Sequence, residues 1–140
     1  MLDFLVEDEA GIRRILAEAR TIAVVGLSSD PGRPSHDVAG YLRDAGYTII
    51  PVNPNETEVL GEMAVPSLRV LAGRPVDVVE VFRRPGEVLP HVAEAAAIGA
   101  RVFWMQDGVG SRAAAEAAHA AGMTVVMNRC MLRDHSRWMR

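Results

Sequence analysis

Short, continuous apolar runs alternate along this chain with stretches in which apolar residues recur every three or four positions. The runs are Ile22 to Val25, Tyr47 to Val52, Val76 to Phe82, Arg101 to Trp104 and Met123 to Met127. They read as strands, and Ile22 to Val25, continuous and apolar, as one buried on both faces. The intervening stretches read as helices. Glu7 to Arg20 places Ile12, Ile15, Leu16 and Ala19 on one face, with Asp8 and Glu9 in its first turn and Arg20 near its end. His36 to Ala45 turns Val38, Ala39 and Leu42 inward and stops at Gly46. Pro66 to Leu71 is a short helix with proline at its start, Gly86 to Ile98 stops at Gly99, and Ser111 to Ala121 stops at Gly122. Glu56 to Ala64 reads as loop, and the closing RDHSRWMR as a polar tail that caps an edge or frays. The helix before the first strand is expected to act as an edge cover or lid.

Strands alternating with helices at this pitch predict an α/β fold with a mainly parallel, five-stranded sheet and an N-terminal helix. The strand C-termini then share one edge, where open α/β sheets bind ligands. The loops after Val25, Val52, Phe82, Trp104 and Met127 should converge there. The length of 140 residues suits one domain over 1–140, with 1–20 as a helical extension and 132–140 as a tail.

Composition narrows the function. A net charge of −3 argues against a general binder of nucleic acid or anionic membranes. No apolar run reaches the roughly 20 residues a membrane span needs, and the acidic start MLDFLVEDEA lacks a signal-peptide pattern. The single cysteine excludes an intramolecular disulfide, and no spacing suggests a metal site. The expected setting is a reducing cytoplasm.

The candidate chemistry lies in the five loops. TIAVVGLSSDPGRPS joins strand, glycine turn and helix start, a layout that seats phosphate at a helix N-terminus. Gly26 permits the turn, although an ordinary βα turn reads the same way. Ser28 and Ser29 offer hydroxyl donors, Arg33 a guanidinium fork, and Ser35 is expected as the helix N-cap. Where a dinucleotide site carries an acid for the ribose, the second strand ends Val52, Asn53, Pro54. Arg83 and Arg84 leave the third strand and suit a phosphate or solvent. Glu80 inside that strand is expected at an edge or paired with Arg83 or Arg101. Gln106 and Asn128 are amides suited to a base or an amide ligand, and Cys130 is the one nucleophile. With Asp107 and Glu56 as the acids, no general acid–base pair assembles, so no catalytic residue is assigned.

In series, VVGLSSDPGRPSHDVAGYL, GYTIIPVNPNETEVLG, VDVVEVFRRP, FWMQDGV and AGMTVVMNRC span nearly all of residues 20–131. This order resembles the stand-alone CoA-binding proteins, relatives of the CoA-binding domain of the succinyl-CoA synthetase alpha subunit. The resemblance implies a Rossmann-like three-layer sandwich binding coenzyme A or an acyl-CoA at the carboxyl edge of the sheet. By that analogy Gly26, Ser28 and Ser29 follow the phosphates, with Arg33 nearby and Ser35 at the helix start. Val52, Asn53 and Pro54 contact CoA; Val81, Phe82 and Arg83 border the adenine; Trp104, Met105 and Gln106 continue the groove; Asn128 closes it. The synthetase's phosphorylated histidine lies in a second domain for which this length leaves no room. A binding module without catalysis is the leading expectation, with no protein partner named. The alternatives are a small acyl- or thiol-transfer enzyme using Cys130, including a mixed disulfide with CoA, and an NAD(P)-binding regulator with Arg33 or Arg83 on a 2′-phosphate.

Overall fold

The computed structural model describes residues 2–139. Five strands form one parallel sheet: β1 (Thr21–Val25), β2 (Thr48–Val52), β5 (Val78–Val81), β6 (Val102–Met105) and β7 (Thr124–Met127), in the order β2-β1-β5-β6-β7. Two further strands, β3 (Glu58–Val59) and β4 (Glu62–Met63), pair antiparallel as a small hairpin. The helices are α1 (Glu9–Glu18), α2 (Pro34–Asp44), α3 (Leu89–Ala97), α4 (Arg112–Ala120) and α5 (Met131–Trp138). None is long and apolar enough to cross a membrane.

The continuous apolar strands explain the layering. Alternate residues point to opposite faces, so each run supplies two cores. Val25, Val52, Val81, Phe103 and Val125 pack with Val92 of α3 and the alanines Ala114, Ala115 and Ala118 of α4. Ile22, Ile49, Val78, Trp104 and Val126 pack with Ile12 and Leu16 of α1, Val38 and Leu42 of α2, and Met131 of α5. The result is the three-layer α/β/α sandwich expected of a Rossmann-like fold. At the amino edge Asp77 ties strand starts together, accepting from the Arg20 and Thr21 amides at 2.8 and 2.9 Å and from Arg101 at 2.8 Å. Burial alone would raise the Asp77 carboxyl; those hydrogen bonds outweigh it and hold it below its ordinary value.

Several expectations are corrected. The stretch 56–64 contains the β3–β4 hairpin, too short to show a strand period. The predicted helix over 86–98 is a 3-10 turn at Pro85–Glu87 followed by α3, which begins at Leu89 with Pro90 beside it. The closing residues form α5, packed on α1 and α2; Met1 and Arg140, the ends of the expected extension and tail, lie outside the described residues. The N-terminal helix covers a sheet face and acts as neither edge cover nor lid. Glu80 is neither at an edge nor paired. It sits in β5, the middle strand, fully buried, and neither carboxylate oxygen has a hydrogen-bond partner among the described residues. Arg83 pairs with Glu87 instead, and Arg101 with Asp77.

Candidate functional site

The chain runs from β1 to β2 on one side and then crosses back over β1 to start β5 on the other. That reversal opens a crevice between the carboxyl ends of β1 and β5. Gly26 and Phe82 meet there. Gly26 has φ +85°, and a Cβ at this position would lie 2.4 Å from the Phe82 carbonyl oxygen. Only glycine permits both the left-handed turn and the close approach. In-register pairing of Val25 with Val52 and Val81, and of Met105 with Val81 and Met127, ends all five strands at one level. The five loops therefore line up along one edge.

A cleft of about 1110 Å³ occupies this edge. Of the residues singled out in sequence, Gly26, Ser28, Arg33, Ser35, Asn53, Phe82, Arg83 and Gln106 line it, as do Glu56, Arg84, Asp107 and Cys130. A smaller pocket of about 160 Å³ adjoins it, shares Gly26, Asn53 and Arg83, and adds Val52 and Pro54 with His91 and Glu94. The other four named residues and Ser29 lie elsewhere. Val81, Trp104 and Met105 are fully buried strand residues. Trp104 donates its indole N–H to the Arg129 carbonyl at 2.8 Å. Asn128 adopts φ +60° and accepts from the Gly108 amide at 2.7 Å, joining the fourth and fifth loops. Ser29 gives its amide and hydroxyl to Glu56 at 2.8 and 2.9 Å.

The first two loops are held by their own polar side chains. Ser35 Oγ accepts from the Ser28 amide at 3.1 Å, and Ser28 Oγ from the Asp30 amide at 3.0 Å. Asn53 donates to the Leu27 carbonyl at 3.1 Å and accepts from the Asn55 amide at 2.9 Å. The expected N-cap at Ser35 is corrected: Arg33 is the N-cap residue, Pro34 follows, and no side chain caps the helix. Ser35 lies one residue further in, so its hydroxyl turns back to the loop. The N-terminus of α2 thus faces the cleft with its positive dipole end free of a capping side chain.

Charge is arranged unevenly. Arg83 and Arg84 both lie against Glu87, Arg84 at 3.9 Å. Arg133 reaches Asp107 at 3.1 Å, and this hydrogen bond first, then the charges of Asp107 and Cys130, raise its pKa. Arg33 is exposed on the cleft wall and has no ion-pair partner among the described residues. Leu132, Arg133 and Ser136 from α5 also line the cleft, as do Asp37 and Val109. The tail assignment hid the α5 group; Cys130, Arg133 and Ser136 recur every three positions, a helical spacing that marks one face.

The donor set suits an anionic group. Arginines and an uncapped helix N-terminus stand at one part of the cleft, and Gln106 and Cys130 at another. No group of three or more His, Cys, Asp or Glu among the described residues could hold a metal.

The CoA binding domain family matches residues 20–136. The chain is 46% identical over 129 residues to the uncharacterised protein YneT of Bacillus subtilis, covering 91% of this chain and 94% of that one. A protein of Pyrococcus horikoshii superposes with a TM-score of 0.92 at 37% identity, over 96% of this chain and 94% of that one. A protein of Thermus thermophilus gives 0.88 at 39% identity, over 94% and 99%.

Proposed function

Since the chain belongs to the CoA-binding domain family, we propose that it binds coenzyme A or an acyl-CoA in the cleft at the carboxyl edge of the sheet, as one cytoplasmic binding domain without catalysis of its own. The observation that carries this reading is the uncapped N-terminus of α2 beside the Gly26 turn, facing a cleft lined by Arg33, Arg83 and Arg84. Backbone amides and guanidinium forks are the donors a phosphate group needs. Gly26 lets the first loop turn tightly against the Phe82 carbonyl, and Ser28 and Ser35 hold the loop in that shape.

The adjoining pocket suits a flat base. Val25, Val52, Pro54 and Pro66 form apolar walls, and His91 and Glu94, paired at 3.0 Å, supply the polar end. Arg83 lines both spaces and would bridge a base in one to phosphates in the other. Gln106 faces the part of the cleft where an amide arm would run. Val81, Trp104, Met105, Asn128 and Ser29 support the loops rather than touch the ligand. CoA supplies a thiol or thioester when bound; this chain's residues bind and orient it. NAD(P) is disfavoured, because β2 ends at Val52 and is followed by Asn53, whose amide is spent on the Leu27 carbonyl, while the first acid after it, Glu56, already accepts from the Ser29 amide and hydroxyl.

Titration calorimetry with CoA, NAD and ATP tests the reading. Saturable heat with CoA and none with NAD is expected. Binding of NAD with no heat from CoA would overturn it.

A further inference from the structure

Gln106, Cys130 and Arg133 meet at the β6–β7 end of the cleft. Cys130, the chain's one cysteine, immediately precedes α5 and is half-buried on the cleft wall. Its position is fixed from both sides. The Met131 amide donates to Gln106 Oε1 at 3.3 Å, and the Arg129 side chain makes two hydrogen bonds of 2.9 Å to buried Asp134. Arg133, one helical turn on, brings a positive charge close enough to interact with the Cys130 sulfur.

A second observation points to a ligand here. Gln106 is only 4% exposed, yet it lines the cleft. Its oxygen is used by Met131, while its amide N–H₂ has no partner among the described residues. That N–H₂ opens onto the cleft, where a ligand carbonyl can accept from it.

We propose that Cys130 is a site of reversible mixed-disulfide formation with CoA, by exchange with CoA disulfide. The proposal rests on the CoA reading above. With phosphates held at the Arg33 and Arg83 end, the ligand's amide arm passes Gln106 and its sulfur arrives at Cys130, because one cleft contains all four residues. The co-reactant is CoA disulfide. Cys130 loses its proton to solvent, and its Sγ attacks one sulfur of the CoA disulfide. The Cys130–CoA sulfur–sulfur bond forms as the original disulfide breaks. The second CoA leaves as a thiolate and takes up a proton. Cys130 is thereby oxidised and one CoA reduced, with no other oxidant needed. A small dithiol reverses the step and frees both thiols. The cleft would retain CoA covalently when the CoA pool is oxidised and release it when the pool is reduced.

The test uses the reduced full-length protein and two probes. Desulfo-CoA, which cannot form a disulfide, reports non-covalent binding by calorimetry. CoA disulfide reports the covalent step by intact mass, which suffices because the chain has one cysteine. The expected result is saturable desulfo-CoA binding and a single CoA adduct. The adduct should be removed by dithiothreitol, form at least about ten-fold faster than the adduct from oxidised glutathione, and be slowed by excess desulfo-CoA. Desulfo-CoA binding with no CoA adduct, or with equal rates for the two disulfides, overturns this inference and leaves the CoA reading standing. No binding of desulfo-CoA overturns both.

Discussion

Replacing Glu80 by Gln should make the protein more stable at neutral pH and flatten its pH dependence. Glu80 lies in register between Val24 and Trp104, is 0% exposed, and neither oxygen finds a partner. Burial pushes its carboxyl from 4.5 up to about 8. The folded protein therefore holds the proton at pH 7, whereas the unfolded chain releases it. For a raised carboxyl, stability is fully present below the unfolded value and is lost as pH rises toward the folded one. Over pH 4.5 to 8 the loss approaches about 1.4 kcal/mol per pH unit, so about 3 kcal/mol is gone by pH 7. A neutral amide at the same place carries a desolvation cost like that of the neutral acid, roughly 1–3 kcal/mol, and does not titrate. Glu80→Gln should thus exceed the wild type by about 3 kcal/mol at pH 7 and by only about 1 kcal/mol at pH 5. Urea unfolding followed by tryptophan fluorescence suits the measurement, since Trp104 is fully buried beside residue 80. Parallel stability profiles for the two proteins between pH 5 and 8 would refute the reasoning.

Further outcomes follow from the same geometry. Gly26→Ala should destabilise the fold by about 1–3 kcal/mol and weaken CoA binding, because its Cβ meets the Phe82 carbonyl at 2.4 Å with φ +85°; urea unfolding and calorimetry check both effects. Arg83→Ala should weaken CoA by about 1–3 kcal/mol and reduce the salt dependence of binding; unchanged affinity would return Arg83 to a solvated partner of Glu87. His135 of α5 is half-buried against α2, with Tyr41 Oη at 2.9 Å and the Tyr47 ring edge-on, and burial lowers its pKa. Its contribution is complete above about pH 6.5 and is lost as pH falls below it. His135→Gln should therefore gain stability relative to the wild type as pH falls from 7 to 5, opposite in sign to the Glu80 effect on which it is superimposed.

The fold was legible because its strongest signals are physical necessities. Strands buried on both faces are predominantly apolar, and the turns that end helices need glycine, as Gly46, Gly99 and Gly122 do with positive φ. Two elements were hidden for equally physical reasons. The β3–β4 hairpin has two residues per strand, too few for alternation to show. The α5 helix looks polar because part of its buried seam is Asp134, neutralised by Arg129 from the preceding loop. Pairing of that kind depends on the fold and leaves no hydrophobic periodicity. Glu80 escaped the expected pairing because a protonated carboxyl needs no counter-charge.

The candidate site was legible as a place more than as a set of side chains. Strand order brings five loops together, so their convergence follows from alternation alone. Individual roles depend on which polar group finds a partner first. Asn53, Asn128 and Ser29 are short side chains at strand ends, where neighbouring loops already offer amides, carbonyls or a carboxylate. They brace the loops as a result. Arg33, long and unpaired on the cleft wall, remains available.

The most direct test of the central claim is a crystal structure of the protein with CoA. The account predicts the CoA pyrophosphate at the N-terminus of α2, within hydrogen-bond reach of Arg33 or Arg83, and the pantetheine arm running past Gln106. Ordered CoA bound outside this cleft, or phosphates remote from both α2 and Arg83, would contradict it.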